Sequence, residues 1–264
     1  MASGIEPNVI EYGPPTSVVE VVVPTAAVRG PWFPTCHRSL RESAAWSVRV
    51  VAVESSGPGF NFARSVNVGL SRTVGDVLVL NDDVRLAAGT LDALLRARQA
   101  HGEGVYQCYI HGMNGSPWEI GWRYDPSLLG PIRYAISIRG PFATARKLAR
   151  GELYPFLPLR FPRDGFDGFS FNAALVTAGV REIVGQLDEG FPLGWEDIDY
   201  SLRCHERQLS YFAVPAAVVY HARTGTRKKG DPRERPSYAH LAEKWPNHRM
   251  ARTFRMGPKG RVAR

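Results

Sequence analysis

The sequence predicts an α/β fold, a mostly parallel central sheet flanked by helices, and three observations carry that reading. Apolar runs alternate with helix-period stretches from Val18 to Ile110, the β-α-β-α-β order of a parallel sheet with crossover helices. The run Val77 to Leu80 reads as a buried strand and stops in Asn81-Asp82-Asp83. Carboxylates are thereby set at the carboxyl edge of the sheet, where open α/β folds bind their ligands. The 264 residues suffice for one substantial core, so a single domain is expected.

In chain order, Val18 to Val23 is the first strand, Cys36 to Ala45 a helix and Val48 to Val53 the second strand. Asn61 caps a helix running to Ser71, and Asp76 to Leu80 is the strand that ends in the acids. Ala88 to Ala100 forms the next helix, closed by Gly102 and Gly104, and Val105 to Ile110 the next strand. From Gly112 to Pro162 the pattern breaks into glycines, prolines and aromatics, among them Trp118, Trp122, Tyr124 and Tyr134. So many large apolar groups argue against disorder, and the segment is read as insertions.

Gly194 ends a loop, and Trp195 to Arg207 is a helix with Ile198, Leu202 and Cys204 or His205 facing inward. Glu196, Asp197 and Asp199 crowd its first turn, where the helix dipole favours carboxylates. Asp199 and Arg203 share the i,i+4 spacing of a pair across one turn. Tyr211 to Val214 and Ala217 to Tyr220 read as short strands split by Pro215 and ending in His221. No internal repeat or low-complexity tract is visible.

The adjacent acids Asp82 and Asp83 have two readings. Mg²⁺ is usually held by one or two protein carboxylates plus substrate phosphates, so the pair suits a metal-bridged nucleoside diphosphate. Equally, Leu86 to Ala100 looks helical and Asp is a good N-cap. The acids before Ile198 and the lone His221 also have structural readings, as a dipole-complementing turn and a satisfied side chain. Residue types alone leave these alternatives open.

The motifs in combination say more. The first block is Phe60-Asn61-Phe62, Asn67-Val68-Gly69, Gly75-Asp76 and Leu80-Asn81-Asp82-Asp83-Val84. The second is Leu187-Asp188-Glu189, Trp195, Glu196-Asp197-Ile198-Asp199, Arg203, Pro215-Ala216-Ala217 and His221, with Thr224 and Lys244-Trp245 in a closing segment. Together they resemble a family 2 glycosyltransferase of the GT-A (nucleotide-diphospho-sugar transferase) fold, close to the rhamnosyltransferase-like members of bacterial polysaccharide assembly. The resemblance runs from about Val18 to Trp245. It divides a single domain, 1–264, into a nucleotide-sugar-binding half (18–84), an acceptor-side half (85–221) and a basic C-terminal extension (222–264).

What the resemblance implies is an inverting, metal-dependent transfer of a sugar to a hydroxyl of a saccharide, a lipid-linked saccharide or a protein. The donor is a nucleoside-diphosphate sugar of UDP, GDP or dTDP type, and the cofactor is Mn²⁺ or Mg²⁺. Where the family reads P-T-Y-N this chain has Pro24-Thr25-Ala26, and where it reads V-D-N-G-S this chain has Val53-Glu54-Ser55-Ser56. Glu54 therefore takes the place of the base-gripping Asp, with Pro24 and Thr25 beside it. Asn67, Asn81 and Asp82 complete the nucleotide-sugar side. Asp83 becomes the metal ligand, with His221 completing the metal site or touching the diphosphate. Asp197 matches the general base. Asp167, Gly168, Trp195, Glu196 and Arg203 support the acceptor side, where the insertion aromatics either stack on sugar rings or simply pack.

Charge and cysteines bound the rest. The net charge is +8, and the 43 residues from Ala222 hold 13 Lys and Arg against 3 Asp and Glu. Such a tail suits the donor diphosphate, an anionic acceptor carrier, a membrane surface or plain solvation; Tyr238, Leu241, Trp245 and Phe254 suggest that it packs back on the domain. Cys36, Cys108 and Cys204 form no C-x-x-C and read as buried thiols of a reducing compartment. With Glu6, Glu11 and early prolines there is no signal pattern, and no apolar run reaches the ~20 residues of a membrane span. A cytoplasmic protein is expected, with a peripheral membrane contact open to it.

Two other classes compete. A nucleotidyltransferase would normally carry a Gly-rich basic loop after the first strand, whereas Pro24 to Gly30 is poor in Gly. A non-catalytic nucleic-acid binder using the basic tail would show steep salt dependence but leaves both acidic motifs without a role. No nucleic-acid partner is therefore expected.

Overall fold

The computed structural model of the chain describes residues 7–14, 19–44, 47–57, 59–222 and 231–263. Glu6, the expected strand start at Val18, the helix end at Ala45 and the motif match at Thr224 lie outside them. The elements are β1 (Asn8–Tyr12), β2 (Glu20–Thr25), α1 (Phe33–Glu42), β3 (Arg49–Glu54), α2 (Phe62–Leu70), β4 (Val77–Leu80) and β5 (Val84–Leu86). Then come α3 (Thr90–His101), β6 (Val105–Gly112), β7 (Pro117–Glu119), β8 (Trp122–Tyr124), α4 (Leu129–Arg139), α5 (Pro141–Ala149) and β9 (Phe156–Pro158). The chain continues with β10 (Ala173–Val176), α6 (Ala178–Val184), α7 (Glu196–Glu206), β11 (Tyr211–His221), α8 (Glu234–Lys244), α9 (Asn247–Met256) and β12 (Arg261–Val262).

Among the described residues, one sheet runs β1-β3-β2-β4-β10-β6-β11-β12, with β5 added to β11 and β7 to β6; β8 and β9 form a separate ribbon. Strands β3, β2 and β4 are parallel, and β11 is parallel to β6 and β12. Strand β10 lies between β4 and β6 and runs against both. The expected mostly parallel sheet is thus present, with one reversed strand at its centre.

Alternation along the strands splits the core. Val21, Val23, Leu78, Leu80 and Leu175 point to the face covered by α1 and α3 through Cys36, Leu40, Leu91 and Leu94. Val22, Val77, Val79, Ala174 and Val176 point to the other face, against Ala63 and Val66 of α2, Val180 of α6 and Tyr200 of α7. Strands buried on both faces read as unbroken apolar runs, which is why β2, β3 and β4 were visible in the sequence.

Helix α2 starts as expected, the Asn61 side chain accepting from Arg64 N at 2.9 Å. The helix expected from Leu86 does not begin there. Leu86 ends β5, and α3 starts after Gly89, whose left-handed backbone (φ 75°) precedes Thr90. Asp82 and Asp83 therefore do not cap α3, and the capping alternative is set aside. The two strands expected around Pro215 are one, β11, with a register shift between Val214 and Val218; a bulge is where a strand tolerates proline.

The C-terminal segment closes a third cluster. Leu241, Trp245, Met250 and Phe254 are buried against Trp122, Phe191, Ile198 and Leu202. Cys36, Cys108 and Cys204 are free and buried. Among the described residues no helix is long and apolar enough to cross a membrane.

Candidate functional site

Strand β2 has β3 on one side and β4 on the other. The chain order therefore reverses beside β2, and such a switch point opens a crevice at the carboxyl ends of the strands. Thr25, the last residue of β2, sits at that opening and donates from Oγ1 to Asp82 Oδ2 at 2.7 Å. The same hydroxyl accepts from Ala27 N at 3.2 Å, which fixes its direction. Burial pushes the Asp82 carboxyl above the usual range; the Thr25 bond opposes this and the charge of Asp83 adds to it. Glu54 ends β3 in register with Thr25, with Pro24 beside Val53.

Strand β5 explains the neighbouring contact. It folds back along β11 so that Val84 pairs with His221, and Ala222 N donates to Asp83 O at 2.9 Å. The Asp83 carboxylate then lies 2.9 Å from His221 Nε2. Asp83 is 5 % exposed, so this pair is almost enclosed. Beneath it the Cys36 thiol donates to Asn81 O at 3.6 Å. Burial, then the charges of Asp82 and Asp83, raise that thiol far above its ordinary value, so it is an inert donor.

A polar row not anticipated from the sequence runs across the sheet behind the acids. Asn81 Nδ2 donates to Asn172 Oδ1 at 2.9 Å, and Asn172 Nδ2 to Ser170 Oγ at 3.1 Å. Ser170 N donates to Gln107 Oε1 at 3.0 Å, and Gln107 Nε2 reaches Glu119 Oε1 at 3.4 Å. Burial raises the Glu119 carboxyl; hydrogen bonds from Ser170 and Gln107 and the charge of His221 pull it back. One signal was available: Gln107 interrupts an apolar run and is fully buried, which a polar side chain does only with partners.

The second acidic cluster divides in two. Asp199 is fully buried and holds Arg203 Nε at 2.9 Å, Trp245 Nε1 at 2.7 Å and Lys244 Nζ at 2.8 Å. Arg203 also donates to Val184 O at 2.8 Å. These residues tie α7 to the C-terminal segment. Asp197 is half-buried, its Oδ1 accepting from Ile198 N at 2.8 Å, and Glu196 is buried beside it. Trp195 takes a left-handed backbone, φ 76°, at the head of α7. Its ring packs against Tyr154, Phe156 and Tyr238, and its buried Nε1 has no hydrogen-bond partner among the described residues.

Three of the expected residues make structural contacts. Asn67 gives its amide to Leu187 O and Glu189 Oε1, both at 2.9 Å, and accepts from Leu187 N at 2.9 Å; it pins the Leu187–Glu189 loop to α2. Asp167 accepts from Tyr124 N at 2.8 Å and pairs with Lys259. Gly168 lies under Trp122, and a Cβ there would meet the ring at 2.1 Å. Lys244 further holds Asp188 at 2.6 Å. Burial raises Asp188, but bonds from Lys244, Gly190 N and His240 overcome it and bring the carboxyl down to about 2.

Among the described residues, no three His, Cys, Asp or Glu side chains are grouped as a metal site. The pair Asp83 and His221 nevertheless fits a two-ligand share of one. Their 2.9 Å separation is that of a direct hydrogen bond, and two ligands at right angles on an ion with bonds of 2.0–2.1 Å would also stand about 3 Å apart.

No protein-family model and no curated protein matches the sequence. Solved structures do. A structure of GalNAc-T7 with UDP, GalNAc and Mn²⁺ covers 88 % of this chain at 11 % identity and a TM-score of 0.57. The match takes in 48 % of that chain, so the present chain spans about half of its length. The mannosyltransferase PcManGT from Pyrobaculum calidifontis, in complex with GDP-Man and Mn²⁺, is covered over 76 % of its length and covers 92 % of this chain, at 15 % identity and a TM-score of 0.44. TarS 1-349 of S. aureus matches 70 % of this chain and 54 % of its own at 15 % identity, with a TM-score of 0.42. At such identities the GalNAc-T7 likeness speaks for backbone architecture, and with the strand order above it gives the conclusion: the chain has the GT-A fold.

Proposed function

We propose that the chain is an inverting, metal-dependent glycosyltransferase that moves a sugar from a nucleoside-diphosphate sugar to an acceptor hydroxyl. The family 2 motif pattern supports the reading. One observation carries it: the Thr25–Asp82 hydrogen bond of 2.7 Å lies at the point where strand order reverses, next to the Asp83–His221 pair. GalNAc-T7, which shares the backbone, is described with UDP and Mn²⁺.

In this reading Glu54, Pro24 and Thr25 take the nucleoside, and Asn81 and Asp82 its ribose and phosphate side. Asp83 and His221 would hold a divalent ion, Mn²⁺ or Mg²⁺, which would supply Lewis-acid stabilisation of charge on the leaving diphosphate. Asp197 takes the proton of the acceptor hydroxyl as its oxygen bonds to the anomeric carbon. The bond from that carbon to the diphosphate oxygen breaks on the opposite side, and the diphosphate leaves with the electron pair. Trp195, Glu196, Asp167, Gly168 and Arg203 shape and support the acceptor side.

The test is a thermal-shift titration with UDP, GDP, dTDP and CDP, each with and without Mn²⁺. Ligands that bind the folded state raise its melting temperature with concentration. A shift with one nucleotide that depends on Mn²⁺ is expected and names the donor class. No shift with any nucleotide overturns the proposal.

A further inference from the structure

Helices α4 and α5 bury few side chains. Helix α4 buries Pro131 and Ala135, and α5 buries Thr144 alone. They nevertheless carry large apolar side chains into solvent. Of the ten large hydrophobic residues exposed among the described residues, six lie between 129 and 161: Leu129, Ile136, Ile138, Phe142, Leu148 and Phe161. Phe142 is 85 % exposed and Phe161 67 %. Folded monomers rarely concentrate apolar surface this way without a use for it.

The charge of the same segment is one-sided. Residues 129 to 163 hold seven Arg and Lys and one acid, Glu152. Arg133, Arg139, Arg146 and Arg150 are exposed between the apolar tips. Arg160 lies over the Tyr134 ring at 5.2 Å and so belongs to the same surface as α4. The C-terminal segment, which the sequence made the prime candidate for surface binding, uses many of its cations internally. Lys244 serves Asp188 and Asp199, Lys259 serves Asp167, Arg249 pairs with Glu206, and Arg261 covers Phe212.

We infer that the α4–α5 face docks on an anionic lipid bilayer. Exposed Phe, Leu and Ile enter the boundary between headgroups and acyl chains, while guanidinium groups among them stay at the depth of the lipid phosphates. Charge complementarity commits the occupant: seven cations against one acid suit a uniformly anionic plane. The docking stands whether or not the chain transfers sugars.

The experiment is flotation of the full chain with vesicles of phosphatidylcholine alone or with about 30 % phosphatidylglycerol, at low and high salt. Binding is expected to the anionic vesicles, to weaken with salt, and to be much poorer on neutral ones. The double variant Ile136→Asp/Phe142→Asp and the double variant Arg133→Glu/Arg146→Glu should each lower binding about tenfold or more. Both change exposed residues, so their melting curves should match the native chain. Arg252→Glu/Arg255→Glu on α9 should leave vesicle binding within about twofold. Equal binding to neutral vesicles, or no effect of either α4–α5 variant, overturns the inference. So does loss of binding through the α9 variant alone. A chain that ignores vesicles but forms a dimer split by Phe142→Asp also overturns it, and makes the face a contact between copies.

Discussion

Asp83 and His221 come within 2.9 Å of each other because β5 turns back along β11 and places Val84 opposite His221. Two strands that are far apart in sequence thus deliver one carboxylate and one imidazole to the same point. Asp83→Asn should leave the fold intact and remove the Mn²⁺-dependent part of the nucleotide thermal shift. His221→Ala should do the same to a smaller degree. Calorimetric titration of Mn²⁺ in the presence of the nucleotide checks both, and unchanged metal affinity in Asp83→Asn contradicts the assignment.

Asp197 is expected to act as the general base. Loss of such a group costs roughly 10²–10⁴-fold in rate. Asp197→Asn should therefore lower kcat by that amount while nucleotide binding persists. NMR of the product anomeric centre should show inversion; retained configuration would contradict the single displacement.

The fully buried Asp199 joins Arg203, Lys244 and Trp245. Removing one side of a buried charge pair typically costs about 3–5 kcal/mol, so Asp199→Ala should destabilise the chain by about 3 kcal/mol. Urea unfolding followed by Trp fluorescence reads this directly. A change under about 1 kcal/mol would mean that the cations find water instead.

His205, on α7, is fully buried, its Nε2 against Asp167 O at 2.6 Å and Tyr211 Oη at 3.0 Å. Burial lowers its pKa from 6.5 to about 4. The unfolded chain thus binds a proton between those values that the folded chain refuses. Stability should fall as pH drops from 6.5 toward 4, by at most roughly 3 kcal/mol. Denaturation midpoints measured from pH 7 to pH 5 should show the slope, and His205→Gln should flatten it.

Gly168 was expected at the acceptor side, and its immediate neighbour is Trp122. A methyl group at 2.1 Å from that ring cannot be accommodated without moving it, and Trp122 is 4 % exposed with its Nε1 bonded to Phe169 O. Overpacking of this kind costs about 1–3 kcal/mol. Gly168→Ala should show that loss in thermal unfolding even when no ligand is present.

What the sequence revealed follows from how each element is held. β2, β3 and β4 are buried on both faces, so unbroken runs such as Val77–Leu80 mark them. Asn61 at the head of α2 and the acids in the first turn of α7 are local signals and were read as such. β5 is three residues, Val84–Leu86, and its pairing partner is the distant β11, so nothing nearby separates it from a helix start. The direction of β10 is likewise invisible, since Ala173–Val176 would read the same in either sense. Asn67 was placed on the nucleotide-sugar side by the family resemblance, and its bonds to Leu187 and Glu189, 120 and 122 residues away, left no local signal. The row from Asn81 to Glu119 gave no local signal either, since Asn81 and Asn172 are 91 residues apart and Ser170 and Gln107 63.

The reversed strand β10 also joins the two sides of the sheet. Strands β4 and β6 meet through it, each pairing with a different edge of Ala173–Val176. Until that stretch docks, the hydrogen-bonded ladder between the two sides of the sheet is open, and its sequence distance from β4 makes closure a long-loop event. Chains dominated by such distant pairings fold slowly, on the millisecond-to-second scale. Wherever that stretch is undocked, the open edges of β4 and β6 can pair with other chains, so the docking of β10 also guards the sheet against aggregation.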